Sequence, residues 1–74
     1  MLTETGIRCL LSLGETLNFT RTARELYMSQ QAVSQHISRL EEDLGFPLFV
    51  RTRRSVSLTS AGQRMYDYWS KVAR

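Results

Sequence analysis

The sequence predicts a mainly α fold, a three-helix core with a two-stranded β wing and a closing helix, on three observations. Apolar residues recur at helical spacing in four separate stretches. Gly45 and Pro47, the only proline, stop the longest of these, and between Leu48 and Leu58 the apolar pattern shortens to that of strands.

Taken in order, Ile7, Leu10, Leu11 and Leu17 place a first amphipathic helix from about Thr3 to Glu15, with Gly14 weakening its end. Phe19 precedes Thr20, the expected N-cap of a second helix, and Ala23 and Leu26 follow at helical spacing. Ser29 caps the third helix, where Val33, Ile37, Leu40 and Leu44 stand at i, i+4, i+7 and i+11 on one face. Gly45 supplies a left-handed end, and Pro47 stands where no helix continues. Leu48, Phe49 and Val50 then read as one strand and Ser55 to Leu58 as a second, with Arg51, Thr52, Arg53 and Arg54 as a charged hairpin tip. The tip lacks the Asn-Gly or Asp-Gly of the commonest tight turns. Thr59 or Ser60 caps the last helix, with Gln63 placed to complete a capping box with Ser60.

Composition narrows the function. A chain of 74 residues, 42% hydrophobic and 23% charged, folds as one small domain whose core is too shallow for a sizeable catalytic cavity, so an enzyme is not expected. Lys+Arg 10 against Asp+Glu 7 gives a net charge of +3, and Lys71 is the only lysine. Arginine favours bidentate contact with phosphate or guanine, so the balance suits a polyanionic partner. One cysteine, Cys9, and one histidine, His36, provide neither a disulfide nor a metal ligand set, and no cofactor is expected. Cys9 reads as a packing residue and His36 as a surface or boundary residue. No apolar run approaches the ~18 residues of a membrane span and no signal peptide is visible, so a cytoplasmic location is expected.

The second helix, the link Tyr27 to Ser29 and the third helix make two helices joined by a tight turn, with the small Ala23 where they cross. The solvent face of the third helix begins with Gln30, Gln31, Ser34, Gln35 and Ser38 and ends with Glu41, Glu42 and Asp43. Neutral donor-acceptor groups at a helix N-terminus suit base edges in a major groove, whereas carboxylates at the far end are repelled by phosphate. Polar side chains that only solvate a surface helix would look the same, and Arg51, Arg53 and Arg54 could equally protect a hairpin edge. Together they make a reading helix beside a basic wing, suited to double-stranded DNA. The last helix carries Ala61, Met65, Tyr68, Trp69 and Val72 on one side, with Tyr66 and Ala73 widening the stripe. Either a partner helix or the chain's own first helix would cover it. A winged module that binds protein rather than DNA explains the stripe equally well, but not the division of amides and acids along the third helix.

The blocks Asn18-Phe19-Thr20-Arg21-Thr22-Ala23-Arg24-Glu25-Leu26, Ser29-Gln30, Leu40-Glu41-Glu42-Asp43-Leu44-Gly45, Pro47-Leu48-Phe49, Arg51-Thr52 and Leu58-Thr59-Ser60-Ala61-Gly62 resemble the N-terminal DNA-binding domain of LysR-type transcription regulators. The resemblance covers nearly the whole chain, with the blocks in order. It implies a winged helix-turn-helix over residues 1–59 and a linker helix over 60–74 that pairs with a second copy, through Met65, Tyr68, Trp69 and Val72. By the same resemblance, Gln30, Gln31, Ser34 and Gln35 face bases. Thr20, Arg21 and Arg51 orient toward the backbone, and Arg54, with Arg53 beside it, approaches the minor groove. The family's larger effector-binding domain is absent, so a small-molecule effector is expected only for a longer protein. Gln31 stands where the family usually has proline and Gln35 where it commonly has arginine, which shifts the expected half-site toward A·T pairs. Thr22 replaces a usual alanine, a change expected to alter packing slightly.

Overall fold

The computed structural model describes residues 2–72; Met1, Ala73 and Arg74 lie outside the described residues, and with them Ala73's place in the apolar stripe and the end of the expected pairing segment. The elements follow the order α1 (Glu4–Thr16), α2 (Phe19–Glu25), α3 (Gln30–Leu44), β1 (Phe49–Arg51), β2 (Val56–Leu58) and α4 (Ser60–Val72). The first three helices enclose a core of Cys9, Leu10, Leu13, Ala23, Val33, Ile37 and Leu40, which Leu48 and Phe49 complete from the start of the wing. The result is the expected winged helix-turn-helix.

Local side chains begin and end these helices. Thr3 Oγ1 accepts from the Gly6 N–H at 3.0 Å and starts α1. Leu17 ends it in the left-handed region at φ 52, its N–H bonded to the Leu13 carbonyl at 2.8 Å. The expectation of Leu17 on the buried face is therefore corrected: it is 42% exposed, and Leu13 takes that place. Leu13 follows Leu10 by three residues and Cys9 by four, which puts all three on one stripe. Cys9 is a packing residue, with its sulfur 4.0 Å from that of Met28. Burial raises the thiol pKa, against a smaller lowering by Arg8.

Gly14 also differs from expectation. α1 runs through it to Thr16, and a Cβ there would stand 2.5 Å from the Tyr66 ring, so the glycine admits α4 rather than weakening α1. Gly62 of α4 makes a tighter approach elsewhere, to the root of the wing, where a Cβ would fall 2.0 Å from the Leu48 carbonyl oxygen. Thr59, not Ser60, caps α4: its hydroxyl accepts from the Gly62 N–H at 2.9 Å and donates to the Pro47 carbonyl at 2.8 Å. The Ser60–Gln63 capping box does not form, because Gln63 Nε2 donates forward to Asp67 Oδ1.

The wing is antiparallel, with Phe49 opposite Leu58, Val50 opposite Ser57 and Arg51 opposite Val56. Arg51 thus belongs to the strand and not to the tip. Thr52 closes the connection instead of an Asn-Gly pair. Its N–H bonds the Ser55 carbonyl at 2.9 Å, while its hydroxyl accepts from the N–H groups of Ser55 and Arg54 at 3.0 and 3.3 Å. Leu48, expected at the start of the strand, precedes it and is fully buried.

Candidate nucleic-acid interface

Two cap residues aim the helix-turn-helix. Asn18, in extended backbone, accepts from the Arg21 N–H at 3.0 Å and starts α2. This corrects the expectation that Thr20 is the cap: Thr20 is already helical, and with Arg21 it stands exposed in the first turn of α2. Thr22 is wholly buried, and its hydroxyl lies 3.0 Å from that of Ser12 and 2.8 Å from that of Thr16. It pins α2 to α1 by hydrogen bonds, more than the slight repacking expected of it. Tyr27 makes the turn at φ 56, a backbone region uncommon for a residue with a Cβ, and its side chain is 96% exposed. Ser29 Oγ accepts from the Ala32 N–H at 3.0 Å and starts α3.

The first turns of α3 share a groove with the wing. Gln30, Gln31 and Ser34 line it together with Phe19, Arg51, Thr52 and Val56, around about 350 Å³. Gln35 is exposed and opens to the adjoining groove, with His36, Ser38, Arg39 and Glu42. Arg53 and Arg54 are exposed at the wing tip. Of the expected base-facing and backbone-facing residues, Gln30, Gln31, Ser34 and Arg51 therefore line one groove, Gln35 opens to the next, and Thr20, Arg21, Arg53 and Arg54 are exposed.

Arg51 is the least foreseen of these. Its Nη1 donates to Ser34 Oγ at 2.6 Å, and its guanidinium carbon sits 4.6 Å from the centre of the Phe19 ring. A cation over an aromatic face is held by the ring quadrupole. Phe19 enters the sequence pattern only through its helical spacing to Ala23 and Leu26, and nothing in that spacing signals that it seats an arginine from β1. Ser34, expected to face bases, is half-buried and bonded to Arg51.

The acidic end of α3 divides. Glu42 and Asp43 are exposed, as a solvent face requires, but Glu41 turns inward. Its Oε2 accepts from the N–H groups of Leu48 and Phe49 at 2.6 and 3.2 Å and so ties the end of α3 to the root of the wing. The stripe on α4 divides as well. Met65 and Trp69 pack against the core, whereas Tyr68 and Val72 are 58% and 55% exposed. Tyr68 meets Trp69 edge to face with centroids 5.1 Å apart. Leu2, Ile7 and Leu11 of the N-terminal region join Trp69 and Val72 around an open, largely apolar groove of about 480 Å³.

Residues 5–63 match the family described as bacterial regulatory helix-turn-helix protein, lysR family. The chain belongs to the LysR family. This LysR-type domain is 48% identical over 59 residues to the HTH-type transcriptional activator IlvY of Salmonella typhimurium; the match takes in 80% of this chain and 20% of the activator. The chain thus spans about a fifth of that relative's length. Its structure superposes with a TM-score of 0.85 on a LysR-family transcriptional regulator from Eggerthella lenta, 41% identical, covering 92% of this chain and 97% of that one. It superposes with a TM-score of 0.88 on the BenM DNA-binding domain in complex with benA site 1 DNA, 33% identical, covering 93% and 78%. The LysR-type chain is accordingly the winged helix-turn-helix DNA-binding domain of a transcription regulator. Among its described residues, no helix is long and apolar enough to cross a membrane.

Proposed function

We propose that this domain reads double-stranded DNA as a homodimer. The first turns of α3 enter the major groove through Gln30, Gln31, Ser34 and Gln35. Arg51 grips the phosphate backbone with Thr20 and Arg21, and Arg53 and Arg54 reach toward the minor groove. The observation that carries this reading is the groove that holds Gln30, Gln31 and Ser34 of α3 beside Arg51 and Thr52 of the wing, with Glu42 and Asp43 exposed toward the other end of the helix. One docked pose then serves base edges and phosphates from the same groove. The role is binding in the cytoplasm rather than catalysis.

Exposed Tyr68 and Val72, with the groove beside Trp69, support pairing through α4. Met65 and Trp69 contribute less to that pairing than the sequence implies, since their own core already covers part of them. A two-fold dimer places half-sites about one helical turn, ~34 Å, apart. The test is selection of bound duplexes from a random pool, followed by affinity against salt. An imperfect palindrome, with log K falling linearly as log salt rises, is expected. Equal binding to all sequences, or none, would sink the reading.

Gln35 carries a separate expectation. Glutamine pairs with adenine at N6 and N7, so Gln35→Ala should weaken the best site by ~1 to 3 kcal/mol and relax choice at one position, leaving non-specific affinity unchanged. Selection of guanine opposite Gln35 by the unaltered chain would contradict this.

A further inference from the structure

We infer that Arg51 is a specificity-positioning residue, which fixes the Ser34 hydroxyl as a hydrogen-bond donor toward the bases and so makes one half-site position select a base with an acceptor on its major-groove edge. The inference rests on the reading of α3 as the base-facing helix. It goes further by giving a wing residue a part in sequence choice.

A serine hydroxyl has one proton and two lone pairs, and left free it bonds donors and acceptors alike. Ser34 is not free. It accepts at 2.6 Å from the Nη1 of Arg51, a short charge-assisted bond that turns the hydroxyl proton away from the guanidinium. Accepting from a cation also polarises the O–H group and makes it a better donor. The nearby positive charge disfavours approach of an amino group such as cytosine N4, and favours purine N7, guanine O6 or thymine O4.

The guanidinium is well suited to hold this arrangement. Its carbon lies 4.6 Å over the centre of the Phe19 ring, so side chains of α2 and α3 together hold one side chain of β1. Arg51 remains exposed, and a guanidinium has five N–H donors, of which Ser34 takes one. The others stay available to phosphate, so the backbone grip and the orientation of Ser34 are made together. Lysine would keep the charge but neither the planar fork nor the stacking.

The experiment compares the unaltered chain with Arg51→Lys, Ser34→Ala and the double variant, against duplexes carrying each base at every half-site position, across a range of salt. The unaltered chain should prefer an acceptor-bearing base over cytosine at one strand position by roughly fivefold, the weight of a single hydrogen bond. Ser34→Ala and Arg51→Lys should each reduce that preference to about twofold or less, and the double variant should lose no more than either alone. The salt slope should stay unchanged in all of them, because the charge count is unchanged. An Arg51→Lys chain that keeps a preference abolished by Ser34→Ala would overturn the inference and leave Ser34 reading unaided. A Ser34→Ala chain with every base preference intact would overturn the inference together with Ser34's place among the reading residues. Uniform weakening at all positions in Arg51→Lys would reduce Arg51 to a phosphate contact.

Discussion

Gly62→Ala is expected to lower the stability of this domain by about 3 kcal/mol or more, at the upper end of what overpacking does. A Cβ at this position falls 2.0 Å from the carbonyl oxygen of Leu48, 2.8 Å from its carbonyl carbon and 3.1 Å from its Cα. These are backbone atoms of a residue that is itself fully buried, so no side chain can swing aside; α4 or the root of the wing must move. Such movement also strains the Thr59 cap, whose hydroxyl holds the Pro47 carbonyl on one side and the Gly62 N–H on the other. Alanine's helix advantage of about 1 kcal/mol is smaller than this penalty, and smaller still in a first turn. Gly14→Ala provides the contrast. Its new Cβ meets only the Tyr66 ring, at 2.5 Å, and a half-buried ring can tilt. The propensity gain then offsets only part of the overpacking, for a net loss of about 1 kcal/mol. In a domain this small each kcal/mol shifts Tm by about 4–8 °C, so Gly62→Ala should melt more than about 10 °C below the parent and Gly14→Ala within several degrees of it. A Gly62→Ala chain with the parent's Tm would mean that α4 does not seat on Leu48 in solution.

The same contrast separates what the sequence discloses from what it does not. The longest helix is legible to within a residue, because Val33, Ile37 and Leu40 mark its buried side, Ser29 starts it and Gly45 stops it at φ 85, all by interactions within one turn of chain. Caps and periods are local, and local rules find them. Leu17 fails for the complementary reason: the stripe that includes Leu10 continues in pattern, but the chain leaves the helix at that residue. Gly14 and Gly62 look like weak helix positions until α4 is known to cross α1 and the start of the wing. The proposed reading residues on α3 are legible as types, since amides at one end and acids at the other form an uneven face. Which of them are already engaged is not. Ser34, bound to an arginine 17 residues away, and Glu41, bound to the backbone seven and eight residues on, depend on the path of the chain after Pro47. A glutamate among three consecutive acids carries no mark that it alone faces inward.

That inward turn makes Glu41 the next most sensitive position. Its single Oε2 receives the N–H groups of both Leu48 and Phe49, and the residues that donate them are buried. Glu41→Ala leaves both donors unpaired at the edge of the core, which is expected to destabilise the domain by about 2–3 kcal/mol, the range for losing hydrogen bonds to a charged group. Glu41→Gln should cost only about 1 kcal/mol, because an amide oxygen placed in the same spot still accepts both bonds and loses only the assistance of the charge. Glu42→Ala is the control, and as an exposed surface change should stay within about 0.5 kcal/mol of the parent. Urea denaturation of the three variants resolves this order, and equal midpoints for Glu41→Ala and Glu42→Ala would show that the bonds to Leu48 and Phe49 contribute nothing. The consequence for DNA follows from where those bonds lie. They fix the end of α3 to the root of the wing, and the wing carries Arg51 back to Ser34 at the other end of the same helix. Glu41→Ala chain that remains folded at low temperature should therefore bind its selected site less tightly while binding random duplex as before, because phosphate contacts tolerate a displaced wing and a base edge does not.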